Sequence, residues 1–163
     1  MTISLHAMPA MSTDWRGHVV RLRDTLGHFP RPLLDLAARL GVGAVFFKSG
    51  LTKIASWEIT LDLFRDEYKV PVLPPELAAY FGTAIELTAP VLIVLGLGAR
   101  LGAAALLGMT LVIQTFVYPE NWSEHLLWAS VLAMVLSRGP GALSLDHLIV
   151  THLLGERRQG SVS

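Results

Sequence analysis

LAAYFGTAIELTAPVLIVLGLGA, residues Leu77 to Ala99, holds a single charged residue, Glu86. A helix rising about 1.5 Å per residue crosses a hydrocarbon core of about 30 Å with a stretch of this length. An ionisable side chain in such a stretch is costly. It normally faces a bundle interior or a wet cavity and has a partner. Reading the fold therefore begins as a search for the residue that faces Glu86.

The flanks of this stretch define a second span, Leu77 to Leu97. Before it, KVPVLPP ends in Pro74 and Pro75, which force extended backbone and leave Glu76 to open the helix. Within it, Pro90 removes the hydrogen bond to the Glu86 carbonyl and frees that oxygen beside the buried acid. After it, Gly96, Gly98 and Arg100 make a turn into an uncharged third span, Leu101 to Tyr118. The turn YPENWSEH leads to a fourth, short span of about Trp122 to Ser137.

Upstream, a first span of about Leu34 to Ile54 carries Arg39, Lys48 and Lys53. At helical spacing Asp35, Arg39, Phe46 and Lys53 share a face, with Lys48 on the far side. Arg39 is expected to snorkel toward the near interface. Trp15, Val19, Leu22, Leu26 and Phe29, with Arg16, Arg21 and Arg23 between them, describe a basic amphipathic helix suited to an anionic membrane surface. Trp57, Leu61, Phe64 and Tyr68 describe a second interfacial helix. Past Gly139-Pro140-Gly141, Ser144 is placed to cap a short helix with Asp146 in its first turn, and the tail then turns polar and is expected to fray. Residues 1 to 12 read as disordered, and the spacing of His6, Met8 and Met11 gives little support for a metal.

The fold class is therefore all-α: an integral membrane four-helix bundle with an N-terminal interfacial helix and a short C-terminal helix. Residues 1–32 form a cytoplasmic segment, 33–150 the four-span domain and 151–163 a polar tail. Composition agrees, with 52% hydrophobic and 16% charged residues and a positive mean hydropathy. Thirteen basic and thirteen acidic residues balance, which argues against nucleic acid as a partner. There is no cysteine, which removes thiol relays and cysteine-ligated metals. No apolar run followed by a small-residue cleavage site opens the chain, so no signal peptide is expected.

Arginines cluster at the termini and the second turn, as Arg16, Arg21, Arg23, Arg31, Arg100, Arg138, Arg157 and Arg158. Arg65 and Lys69 lie on the opposite connections, so both termini are expected in the cytoplasm of a bacterial cell, with the chain in its inner membrane. RLGVGAVF at Arg39 and RLGAAALL at Arg100 then open the first and third spans from the same side. Taking Arg39, Arg100 and Arg138 as one inner level, fourteen residues along each helix reach Lys53, Glu86, Gln114 and Glu124 beside His125. These form one polar layer about 21 Å above the arginines. Trp57, Tyr118, Trp122 and Trp128 would roof it. Lys53 is the favoured partner of Glu86, with Lys48 as the rival, and Asp146 is expected to pair with Arg39 or Arg100 at the inner end.

Arg39 with Gly41, FFKSGLTKI at 46–54, Glu86, GLGARLGA at 96–103 and RGPGALSLD at 138–146 together resemble the DoxX family of small four-span membrane proteins. The LFRDEYKVPVLPPELAA and FVYPENWSEHLLWA stretches look like a bacterial subgroup associated with biosynthetic or stress-response operons, including those for copper-related modified peptides. The resemblance implies a four-helix bundle in the cytoplasmic membrane. It implies little chemistry: the family takes its name from a subunit of an archaeal quinol oxidase, and some members are linked to membrane thiol or oxidative-stress complexes. No catalytic residue set carries over, and the lack of cysteine departs from the thiol-active relatives.

Two functions compete. The first is an accessory subunit of a membrane redox, stress-response or peptide-biosynthetic system. It would hold a small ligand, a quinone among the candidates, in the layer of Lys48, Lys53, Glu86, Gln114, Tyr118, Glu124 and His125, or dock a soluble or membrane protein on its N-terminal basic helix. The second is a small transporter using Glu86 with a lysine, which would need oligomerisation to gain room. A metal site at Glu120, Glu124 and His125 has thin support. Stand-alone catalysis has none of the usual pairings, so any redox role requires a bound cofactor or a partner.

Overall fold

The computed structural model describes residues 15–27 and 30–159; residues 1–12, read above as disordered, lie outside the described residues. The chain divides into two units after Pro30. The first contributes α1, Trp15–Gly27, on which Trp15, Val19 and Leu22 are exposed. The second contains α2 (Arg31–Ala55), α3 (Trp57–Asp62), α4 (Pro75–Leu95), α5 (Ala99–Val112), α6 (Trp122–Arg138) and α7 (Leu145–Gln159). All regular structure among the described residues is helical.

In the second unit α2 packs on α4, α4 on α5, α5 on α6, and α6 returns to α2. The shared core contains Val42, Phe46, Ile93, Leu106, Leu132 and Val135, with alanines letting α4 and α5 approach. Gly50 serves the same purpose where α2 meets α4: a Cβ there would stand 2.9 Å from the Leu87 side chain and 3.1 Å from the Glu86 Cβ. Two helical stretches, Pro75–Leu95 and Ala99–Val117, are long and apolar enough to cross a membrane by length and composition. The outward faces of α5 and α6 expose Leu101, Leu111, Leu126 and Leu127, a surface unsuited to water.

Two helices widen before they end. α3 continues as a π-helical segment, Leu63–Tyr68, and α5 as another, Ile113–Val117. Such wide turns are rare and recur at functional sites. Phe64 of the first packs with Ala78 and Ala79 of α4 in a second, smaller core.

The end of the bundle that carries Arg39, called the inner end after the sequence expectation, departs from that expectation in its contacts. Arg39 does not snorkel: it is 1% exposed, and its guanidinium donates to the carbonyls of Ile93 (3.2 Å), Val94 (3.0 Å) and Leu143. Nor does it pair with Asp146, whose two carboxylate oxygens accept from the Gly98 N–H at 3.0 and 3.1 Å. Arg100 donates to the Ser137 carbonyl at 3.3 Å. The physical reason lies in the helix termini, which leave orphan carbonyls at one end and orphan N–H groups at the other. The cation settles on the carbonyls closing α4 and the anion on the N–H at the start of α5, each matching the local dipole, in place of an ion pair.

Gly96 joins these elements. At φ +67° it takes the left-handed conformation, its carbonyl accepts from the Asp146 N–H at 2.9 Å, and a Cβ there would meet the Ser144 Cβ at 2.4 Å. Ser144 accepts from the His147 N–H at 3.2 Å and so caps α7. That helix runs on to Gln159.

Candidate functional site

Glu86 is buried on α4 one turn before Pro90 and faces α2. The Lys53 ammonium lies 2.8 Å from both of its oxygens, hydrogen-bonding Oε1. Ser49, one turn below Lys53, accepts from the ammonium at 2.9 Å and donates to Glu86 Oε1 at 3.2 Å. Both side chains of the pair are largely withdrawn from solvent, 14% and 5% exposed. The Lys53 carbonyl accepts from the Thr60 hydroxyl at 3.0 Å, which fixes the end of α2 against α3. Lys48 is exposed on the other face of α2 and takes no part.

The pair borders a cavity of about 540 Å³. Its walls are mostly apolar: Phe46, Phe64, Ile85, Met109, Val112 and Trp128, with Gly82, Ala105 and Gly108 making room. Phe46 meets Trp128 edge to face at 5.2 Å, and Trp128 lies 5.2 Å from the His125 ring. His125 is buried, and its Nδ1 is 2.7 Å from Gln114 Oε1. Gln114 in turn donates from Nε2 to the Pro119 carbonyl at 2.8 Å. Asn121 and Glu124 complete this side of the lining.

The two π-helical segments frame the cavity. Tyr68 closes the first, Tyr118 follows the second, and their rings meet at 5.8 Å. The Tyr118 hydroxyl donates to Glu67, which with burial holds that phenol above the usual tyrosine range. Burial is also the main cause raising the Tyr68 phenol. Both side chains therefore stay neutral at the cavity.

Of the residues the sequence singled out, Lys53, Glu86, Tyr118, Glu124 and His125 line this one space, and Gln114 supports His125 from behind. Arg39, Arg100 and Asp146 belong to the inner end. The roof differs from expectation: Trp57 packs on Tyr80 at 4.7 Å, Trp122 is exposed, and neither lines the cavity. Tyr68, Val70 and Leu73 line it instead. Among the described residues no group of three or more His, Asp or Glu is placed to hold a metal, so Glu120, Glu124 and His125 do not assemble one. Tyr68 was read only as part of an interfacial helix and Ser49 went unread, although Ser49 sits four residues from Lys53 and helical spacing alone would have found it.

The DoxX family profile matches residues 34–119, more than half of the chain. This chain belongs to the DoxX family. It is a membrane protein, in keeping with its apolar helices and outward-facing leucines. The match includes Lys53, Glu86, Gln114 and Tyr118 of this DoxX protein and stops short of Glu124, His125 and Asp146. No curated protein and no solved structure matches the chain.

Proposed function

We propose that this DoxX protein is a four-span accessory subunit of a membrane redox, stress-response or peptide-biosynthetic system, and that it holds a small amphiphilic ligand in its outer half. One observation carries the reading: a cavity of about 540 Å³ with apolar walls and the buried Lys53–Glu86 pair at its edge. Pockets of that size, apolar with a few convergent polar groups, suit small organic ligands. A quinone is one candidate. A buried ion pair adds little net stability, so its retention beside open space favours a ligand role over a structural one. In this reading α2, α4, α5 and α6 all cross the bacterial inner membrane, and the arginine-rich ends face the cytoplasm.

The test is purification in native-lipid nanodiscs followed by mass spectrometry of extracted small molecules. A specific amphiphile should accompany the wild-type chain and be absent from Gly108→Phe, because Gly108 lines the cavity and a Cβ there would meet nothing within 4 Å, which leaves room for the new ring. Identical extracts from both proteins would sink the reading.

A further inference from the structure

We infer that His125 presents a hydrogen-bond acceptor to the cavity, and that the ligand held there is an uncharged apolar molecule carrying an O–H or N–H donor. The inference rests on the ligand-holding reading above and names the chemistry of its ligand.

The argument starts at the Pro119 carbonyl, which can only accept. The Gln114 group facing it at 2.8 Å is therefore the NH2, which turns Gln114 Oε1 toward His125. That oxygen also only accepts, so the His125 Nδ1, 2.7 Å away, carries the proton. In the neutral imidazole the lone pair is then on Nε2. The two ring nitrogens point to nearly opposite sides. Gln114 borders an outer groove and not the cavity, whereas His125 borders both, so Nε2 is turned from Gln114 toward the cavity.

Much of the remaining polar lining has the same bias, the Tyr68 hydroxyl and the Asn121 amide being the groups that can also donate. Lys53, the one ammonium there, is already engaged by Glu86 and Ser49. Tyr118 gives its proton to Glu67. Glu86 Oε2 is buried and receives no hydrogen bond beyond its ion-pair contact. A ligand that donates complements such a wall, and one that only accepts leaves buried acceptors facing each other. Charge neutrality follows at the buried pair, where Lys53 balances Glu86, while Glu124, the other charge of the lining, is exposed.

The probes are 4-octylphenol and its methyl ether, 4-octylanisole, which share an apolar body and differ in the donor. Binding is followed by calorimetry on the full chain in nanodiscs. Wild type should prefer the phenol roughly fivefold, the worth of one net hydrogen bond. His125→Phe, which keeps a ring against Trp128, should bind both equally. Gln114→Leu should lose most of the preference. A second arm needs no probe: 15N spectra of histidine-labelled protein, assigned by subtraction of His125→Phe, should show His125 protonated on Nδ1 in wild type and redistributed in Gln114→Leu. A wild-type ring protonated on Nε2, or equal binding of phenol and ether that Gly108→Phe abolishes, would overturn this inference and leave the cavity reading standing. Binding of neither probe would overturn both.

Discussion

The two ends of the Arg31–Ser163 unit bury charge in opposite ways. At the inner end Arg39 and Asp146 bond to backbone, closing the last turn of α4 and the first of α5. At the outer end Lys53 and Glu86 bond to each other, Gln114 bonds to His125, and open space lies beside them. The backbone groups at the inner end would be orphaned in any sequence, so the side chains there complete the fold. No backbone group requires the outer pair. What distinguishes a structural buried charge from a candidate site here is the identity of its partner, and substitution separates the two cases.

The largest effect is expected at Arg39. Arg39→Ala removes three hydrogen bonds and strands the Val94 and Leu143 carbonyls, the Ile93 carbonyl keeping the Gly96 N–H, at a cost on the order of 5 kcal/mol from hydrogen bonds to a charged group. Thermal unfolding in detergent should show the loss, and no apolar replacement should recover it, because the carbonyls remain. Arg39→Lys should recover only part, since a point charge lacks the planar fork that reaches separate acceptors. A cost under about 1 kcal/mol for Arg39→Ala would end the distinction drawn above.

The outer pair should behave otherwise. Glu86→Ala alone leaves the Lys53 ammonium uncompensated and should cost about 3–5 kcal/mol. The double substitution Lys53→Met with Glu86→Leu removes both charges, strands no backbone, and should return stability to within about 1 kcal/mol of wild type. The same double variant should lose the amphiphile that accompanies wild type. Stability restored with ligand lost is the signature of a site. If the double variant stays as unstable as the single one, the pair is structural after all.

Much of this contrast was legible in the sequence, at the outer end more than the inner. Counting fourteen residues from three arginines placed Lys53, Glu86, Gln114 and Glu124 in one layer, because helix rise converts position into depth. Helical angle separated Lys53 from Lys48. The inner end was misread because its partners are carbonyls and N–H groups, which every residue owns and no side-chain pattern reveals. The π-helical turns were invisible for a similar reason: nothing in LFRDEY or IQTFV marks a widened backbone, yet these turns bring Tyr68 and Tyr118 to the cavity. Trp57 and Trp122 were expected to roof the layer and do not line the cavity, since counting along a helix gives level without azimuth.

Asp146→Asn sharpens the inner half of the comparison. The amide oxygen can still accept from the Gly98 N–H, so the variant removes the charge and keeps the bond. A loss of about 0.5–1 kcal/mol is expected from the helix dipole alone, shrinking at high salt. A much larger, salt-insensitive loss would point to an arginine partner that the geometry does not contain.

The smallest effect is expected at Tyr118→Phe, at the cavity mouth. It removes one half-exposed hydrogen bond to Glu67, so stability at neutral pH should fall by about 1 kcal/mol or less. The pH dependence has a definite sign. The Tyr118 phenol is raised in the folded chain, by its bond to Glu67 first and by burial second, so its contribution is complete below the ordinary tyrosine value near 10. It is lost only as pH climbs through the raised folded value. The gap in stability between wild type and Tyr118→Phe should therefore stay constant across neutral and mildly alkaline pH and close at strongly alkaline pH. Since the same bond joins the two widened turns, Tyr118→Phe should also speed dissociation of 4-octylphenol while leaving its preference over the ether unchanged. A changed preference would move Tyr118 from the mouth of the cavity into its recognition surface, and would narrow the part assigned to His125.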